Sequence, residues 1–316
     1  MAAVSKVDGR YASGRPQPLS IVIPTYGREQ VLIDSVSALL DLDHPADEIL
    51  VVDQTRHHDK ETVQRLEGWN SDGQIRWIQR DKPSITESMN HGLQVAKNPL
   101  VLFLDDDIRP HSQLVLNHAR AHAENGDLWA TVGQVIQPWQ SSADLAPPRR
   151  LNGLQKDFDF PFHSTRDADV ENVMAGNLCV HRQRALSIGG FDENFVGAAY
   201  RFETDFARRI VQAGGRIRFI GSAGIDHLRV SSGGTRTGVS HLTSASPLHG
   251  FGDYYYALRH GTRGQAFAYS GRRFLREVRT RFHLTHPWWI PVKLLGELRA
   301  MRRARSVARD GRNLIQ

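Results

Sequence analysis

Apolar residues along this chain fall into two rhythms. Short runs rich in aliphatic residues at Leu19 to Pro24 and Glu48 to Asp53 suit strands buried on both faces, and further strands are expected at Ile75 to Ile78 and Leu100 to Leu104. Between them lie stretches at near-helical spacing. Glu29 to Leu42 carries Val31, Leu32, Val36, Leu39 and Leu40 on one side, and further helices are expected over Lys60 to Gly68 and Ser84 to Ala96. Such a succession of strand, helix and strand builds parallel sheets. The second half is less regular. A helix over His111 to Glu124 and a strand over Trp129 to Ile136 lead into a long irregular stretch, Gln137 to Glu171, containing Pro138, Pro147, Pro148 and Pro161. Its length fits a functional lid or a disordered segment. A strand at Asn177 to His181, a turn at Gly189-Gly190, a helix at Glu203 to Ala213 and a strand at Arg216 to Ile220 complete the pattern. The expectation is an α/β domain over residues 19–250, with a mostly parallel sheet and helices on both faces. A flexible leader (1–18) precedes it and a basic, amphipathic helical extension (251–316) follows.

Composition adds exclusions. The 316 residues are 40% hydrophobic and 23% charged, which is ordinary for a globular protein and excludes disorder or a collagen-like chain. One cysteine, Cys179, cannot make an internal disulfide, and no Cys/His cluster has zinc spacing. No apolar run approaches the roughly 18 residues of a membrane span, and the first residues lack a signal-peptide core. The chain reads as cytoplasmic. Its net charge of +6 is unevenly placed: residues 271–316 carry 12 Arg and Lys against 3 carboxylates, whereas residues 1–270 carry 28 against 31. An acidic body is joined to a basic tail.

In open α/β sheets ligands sit beyond the carboxyl ends of the strands, so Pro24 to Arg28, Asp53 and Asp105-Asp106-Asp107 are expected on one rim. Three successive carboxylates repel one another, and burying them unpaired is costly. A divalent cation with oxygen ligands, Mg²⁺ or Mn²⁺, is the simplest compensation. The alternative is a solvated acidic turn in which Asp107 caps the following helix. Cys179 has no activating neighbours in sequence and reads as core packing.

Pro24-Thr25-Tyr26-Gly27-Arg28, Val51-Val52-Asp53, Leu104 to Asp107, and Glu203-Thr204-Asp205 with Arg208, in that order, resemble the signature of family 2 glycosyltransferases. The resemblance implies the GT-A fold, which is Rossmann-like, and inverting transfer of a sugar from a nucleoside diphosphate sugar. By the same resemblance Asp53 accepts a hydrogen bond from the nucleotide base, and Thr25, Tyr26 and Arg28 line the base and phosphate pocket. Lys82 approaches the nucleotide, and Asp105 or Asp106 contacts it. Asp107 binds the metal, with His227 as a further ligand suited to Mn²⁺. Asn177, in Met174 to Arg182, lies beside acceptor and sugar. The glycine pair Gly233-Gly234 itself has two readings, a loop folded over the diphosphate with Arg236 facing the anion or a plain flexible linker. The family's acidic pair is broken here by Phe202, which leaves Glu203 as the general base and Asp205 as its support, or the reverse. On a helix the two lie about 200° apart, so Asp205 has a second reading as an acid paired with Arg208 or Arg209.

The tail interleaves Trp288, Trp289, Leu294, Leu295 and Leu298 with arginines. That pattern suits the anionic inner face of the cytoplasmic membrane, near a glycan or lipid-linked acceptor, or else helices packed on the body with a solvated basic face. No Gln-x-x-Arg-Trp motif supports a processive enzyme. The acidic body and the lack of a nucleic-acid module argue against nucleic-acid binding, and no Gly-rich basic loop follows the first strand as a nucleotidyltransferase would require. A catalytically inactive sugar-nucleotide sensor is the remaining alternative.

Overall fold

The computed structural model describes residues 16–147, 153–230, 232–234 and 240–316. Most of the expected leader, and the expected loop residue Arg236, lie outside the described residues. Nine strands form one sheet: β1 (Leu19–Thr25), β2 (Glu48–Asp53), β3 (Arg76–Gln79), β4 (Leu100–Leu104), β5 (Ile108–Pro110), β6 (Leu128–Ile136), β7 (Ala168–Val170), β8 (Asn177–His181) and β9 (Arg216–His227). In the body the helices are α1 (Gln30–Leu40), α2 (Lys60–Ser71), α3 (Ile85–Val95), α4 (Leu114–Glu124), α5 (Arg182–Ser187) and α6 (Phe202–Gln212). The C-terminal set is α7 (Leu248–His260), α8 (Arg263–Val278), α9 (Arg281–Thr285) and α10 (Ile290–Asp310).

The strand order is β3-β2-β1-β4-β8-β6-β9-β5, with β7 on β9. The first four strands pair in parallel. Every residue of β1, β4 and β8 is buried, as strands covered on both faces require. β8 runs antiparallel to both β4 and β6, and β5 and β7 run antiparallel to β9. The sheet is therefore mixed, parallel in its first half and largely antiparallel where the chain doubles back. Register sets the rim: Thr25 lies opposite Asp53, and Val22 opposite Phe103, so the ends of β1, β2 and β4 open on one edge.

Several elements depart from the sequence pattern. β9 runs seven residues past Ile220, to His227, β5 and α5 fall where no element is predicted, and β7 lies inside the stretch expected to be irregular. The extra length of β9 contains Gly221 and Gly224, poor strand formers; Gly224 pairs with Gln134 of β6 beyond a register shift, and the next three residues pair with β5.

The C-terminal helices pack on the body. Tyr254, Tyr255 and Tyr256 are fully buried although successive helical positions point about 100° apart, so α7 is enclosed all round. Their hydroxyls donate to Glu297 at 2.8 Å, Asp192 at 2.8 Å and the Leu154 carbonyl at 3.0 Å. Arg273 pairs with Asp253 and Glu297, and Lys293 with Glu277 and Glu297. Beyond α10 the chain returns to the body, where the Ile315 N–H reaches the Gly189 carbonyl at 3.1 Å. No helix among the described residues is long and apolar enough to cross a membrane.

Candidate active site

Asp105, Asp106 and Asp107 form the turn between β4 and β5. Because Ile108 pairs with His227, and the Leu228 N–H donates to the Asp107 carbonyl at 2.8 Å, the end of β9 lies against this turn. His227 Nε2 is consequently 3.3 Å from both Asp105 Oδ2 and Asp107 Oδ1. The alternative role for Asp107 as a helix cap does not hold, since α4 is capped by Gln113 without a side-chain bond.

Much of the compensating charge comes from Arg28. Its Nε lies 3.0 Å from Asp106 Oδ1 and its NH2 3.1 Å from Asp107 Oδ2, while NH1 donates to the carbonyls of Val230 and Ser232. Thr25 Oγ1 donates to Asp106 at 2.7 Å and the Val230 N–H to Asp107 at 3.0 Å. Arg28 therefore joins the end of β1, the acidic turn and the 230–232 segment. Burial pushes the Asp106 carboxyl up to about 6, only partly countered by Arg28 and Thr25. Burial likewise raises Asp107 against the pull of His227 and Arg28. Burial lowers the His227 imidazole, but the hydrogen bond to Asp105 and the charges of Asp105 and Asp107 outweigh it and leave its pKa raised. Gly176 is required beside this cluster, because a Cβ there would lie 2.2 Å from Asp105 Oδ2.

A cavity of about 870 Å³ opens over the turn. Thr25, Tyr26, Arg28, Asp105, Asp106, Asp107, Glu203 and His227 all line it, so eight of the residues singled out in the sequence share one site. Glu203 stands in the first turn of α6, and its Oε1 accepts the Ala175 N–H at 2.7 Å. Just before it, Ala199 and Arg201 hold left-handed backbone, φ 49° and 74°. Such conformations cost about 1–3 kcal/mol each and persist where surrounding structure enforces them.

Four other candidates do not line this cavity. Asp205 is fully buried, bonded to Arg209 at 2.8 Å and His260 at 2.7 Å, and these partners outweigh burial to hold its pKa low. These contacts agree with its second reading, an acid paired with Arg209, and set it apart from Glu203. Asn177 is also buried; it donates to the carbonyls of Gln134 and Ala223 and contacts His118 at 2.9 Å, tying β8 to β6, β9 and α4. Asp53 Oδ2 is occupied by His58 at 2.7 Å and Trp77 at 2.9 Å, and Oδ1 by the Thr55 N–H. These hydrogen bonds outweigh burial and keep the Asp53 carboxyl low. Lys82 is exposed on its loop, off the cavity wall. Sequence reasoning missed Gln54, Gln137 and Arg229, which do line it. Gln54 follows Asp53 at the end of β2, where position alone could have flagged it. Gln137 and Arg229 depend on loops without local signal.

Asp105, Asp107 and His227 offer two carboxylates and an imidazole, a donor set suited to Mn²⁺ or Mg²⁺. In this structure the His227 ring lies 3.3 Å from each carboxylate, and among the described residues no group of three or more His, Cys, Asp or Glu is arranged as a cation cage.

Comparison with known proteins bears on family and fold. Residues 20–174 match the model of glycosyl transferase family 2. Over 188 residues the chain is 33% identical to GalNAc(5)-diNAcBac-PP-undecaprenol beta-1,3-glucosyltransferase of Campylobacter jejuni, an alignment covering 57% of this chain and 56% of that relative. The chain thus spans about half the length of the curated relative. Its fold is shared with S. aureus TarS 1-349 in complex with UDP-GlcNAc (TM-score 0.61, 15% identity, 93% of this chain and 92% of that one). It is shared too with GalNAc-T7 with UDP, GalNAc and Mn²⁺ (0.58, 15%, 77% and 51%). Mannosyltransferase PcManGT from Pyrobaculum calidifontis in complex with GDP-Man and Mn²⁺ is a third such structure (0.52, 16%, 95% and 80%). The fold is the GT-A fold, with a mixed sheet. Residues 20–174 thus form a glycosyl transferase family 2 domain.

Proposed function

We propose that this protein transfers a sugar from a nucleoside diphosphate sugar to a lipid-linked glycan by a single inverting displacement. The observation that carries the reading is the cavity itself: Glu203 and the Asp105–Asp107 turn line one chamber large enough for a nucleotide sugar. Tyr26 and Gln54 form its nucleobase end, with Gln54 taking the place expected of the occluded Asp53. Asp105, Asp107 and His227 would hold a divalent cation, which stabilises charge developing on the departing diphosphate. Glu203 takes the proton of the acceptor hydroxyl as the oxygen bonds to the anomeric carbon. The bond from that carbon to the diphosphate oxygen breaks on the opposite side, and the nucleoside diphosphate leaves. The Ala175 N–H fixes the Glu203 carboxylate, and Arg28 holds Asp106 and Asp107 together around it. The lipid-linked acceptor is supported by the C. jejuni relative, and the cation by the Mn²⁺ in two of the structural neighbours.

The surface of the C-terminal helices supports work at a membrane. From residue 263 to 309 the carboxylates are Glu277 and Glu297, and both turn inward to Arg273 and Lys293. Arg272, Arg276, Arg279, Arg281, Arg299 and Arg302 remain exposed beside Phe267, Leu275, Leu284, Trp288, Leu295 and Leu298. The fold thus sorts charge, leaving a cationic and apolar face of the kind that docks on anionic lipid.

The test is Glu203→Gln. Product formation should fall by about 10²–10⁴-fold, the usual share of general-base catalysis, with donor affinity unchanged. Wild-type turnover by this variant would remove Glu203 from the role.

A further inference from the structure

A second cavity, about 520 Å³, meets the first at Met174 and Glu203, which line both. Phe158, Phe160 and Phe162 of the irregular stretch between β6 and β7 form one wall, and α7, α8 and α10 contribute the other. Its chemistry is selective. The arginines and the lysine that line the cavity each have a carboxylate partner: Arg273 has Asp253 and Glu297, Lys293 has Glu277 and Glu297, Arg276 has Glu277, and Arg201, just before α6, has Asp253. An anionic ligand finds little uncompensated charge there, and an apolar one would strand the polar groups. Tyr200 presents an aromatic ring at the cavity wall, 41% exposed. One polar atom stands out. Asn172 is only 7% exposed, lines this cavity, and its Oδ1 has no hydrogen-bond partner among the described residues. A buried acceptor is costly to leave unmade, so the site calls for a ligand hydroxyl.

Aromatic faces, an acceptor for a hydroxyl and an adjoining carboxylate describe a saccharide ring. We propose that the second cavity is the acceptor subsite and takes the terminal sugar of the acceptor glycan. One hydroxyl is presented to Glu203 at the junction and another donates to Asn172 Oδ1, with the ring against Tyr200. The inference rests on the transfer reading above. It adds that the C-terminal helices, which lie beyond the family match, form part of the acceptor wall and so help choose the acceptor.

Saturation-transfer NMR on the full chain tests this without any donor. The probes are methyl glycosides of glucose, galactose, N-acetylglucosamine and N-acetylgalactosamine. At least one should receive saturation from the wild type, and the signal should survive excess UDP or GDP, which compete only for the first cavity. Tyr200→Ala and Asn172→Ala should each weaken that glycoside about 3–10-fold, the worth of one hydrogen bond or stacking contact. Donor affinity, measured separately by titration of UDP- and GDP-sugars, should not change in either variant. Tyr200 is partly exposed, so its variant reports even if Asn172→Ala folds poorly. Saturation by none of the glycosides, loss of the signal on adding UDP or GDP, or equal signals in wild type and Tyr200→Ala would overturn the proposal. Failure of the donor titration alone would count against the transfer reading and leave a sugar-binding second cavity standing.

Discussion

Glu203 and Asp205 are two residues apart on α6 and meet opposite surroundings. Helical geometry separates them by about 200°, and the structure gives Glu203 the cavity wall and Asp205 the core. Removing a partner from a buried ion pair costs about 3–5 kcal/mol, so Asp205→Ala should lower the thermal midpoint by many degrees while its folded fraction still binds donor. Glu203→Gln should leave the midpoint within a degree or two. Calorimetry of the two variants settles the comparison, and a stable Asp205→Ala protein that binds donor but transfers nothing would return Asp205 to the chemistry. The angular separation was legible in the sequence. Which face was wet was not, because His260, which closes over Asp205, arrives from α7, 55 positions further along the chain. Asp53 teaches the same lesson: its place at the end of β2 could be read, but its capture by His58 and Trp77 could not.

At the level of elements, β1, β2 and β4 were readable because strands buried on both faces carry nearly unbroken apolar runs, whereas β3 at the sheet edge is only partly buried. The antiparallel half was not. β5 is three residues long and β9 passes through glycines, yet their pairing is what brings His227 to Asp107. α4 carries a further consequence of packing. His118 and His122 face the sheet, and burial holds the first down to about 4 and the second to about 3, against an ordinary 6.5. Unfolding frees both to take up protons below pH 6.5. Their contribution is therefore full above pH 6.5 and lost as pH falls from there toward 4. The thermal midpoint should drop between pH 7 and pH 5, and His122→Leu should shrink that drop, since His122 Nε2 has no partner among the described residues. An identical drop in the variant would show that α4 is not the sensor.

For the molecule as a whole, the net charge of +6 conceals a division that the fold sharpens. The sequence placed nine excess positive charges after residue 270, and in the structure Glu277 and Glu297 are drawn to Arg273 and Lys293 while most of the other arginines stay exposed. The helices of the tail pack on the body, and docking on anionic lipid is the proposal that its exposed arginines and apolar side chains support. The protein should co-sediment with phosphatidylglycerol vesicles at low salt, release as ionic strength rises, and ignore phosphatidylcholine. Reversing Arg272, Arg279 and Arg302 to Glu should abolish the binding, whereas equal sedimentation with both lipids would deny the docking face.

The central claim is that the cavity over the acidic turn binds a nucleotide sugar with a divalent cation. Isothermal titration of a panel of UDP- and GDP-sugars, with Mn²⁺ and with a chelator, addresses it directly. At least one donor should bind in Mn²⁺, with affinity falling tenfold or more in chelator and in Asp107→Asn. Binding of no nucleotide sugar, or binding indifferent to both metal and Asp107, would contradict the account.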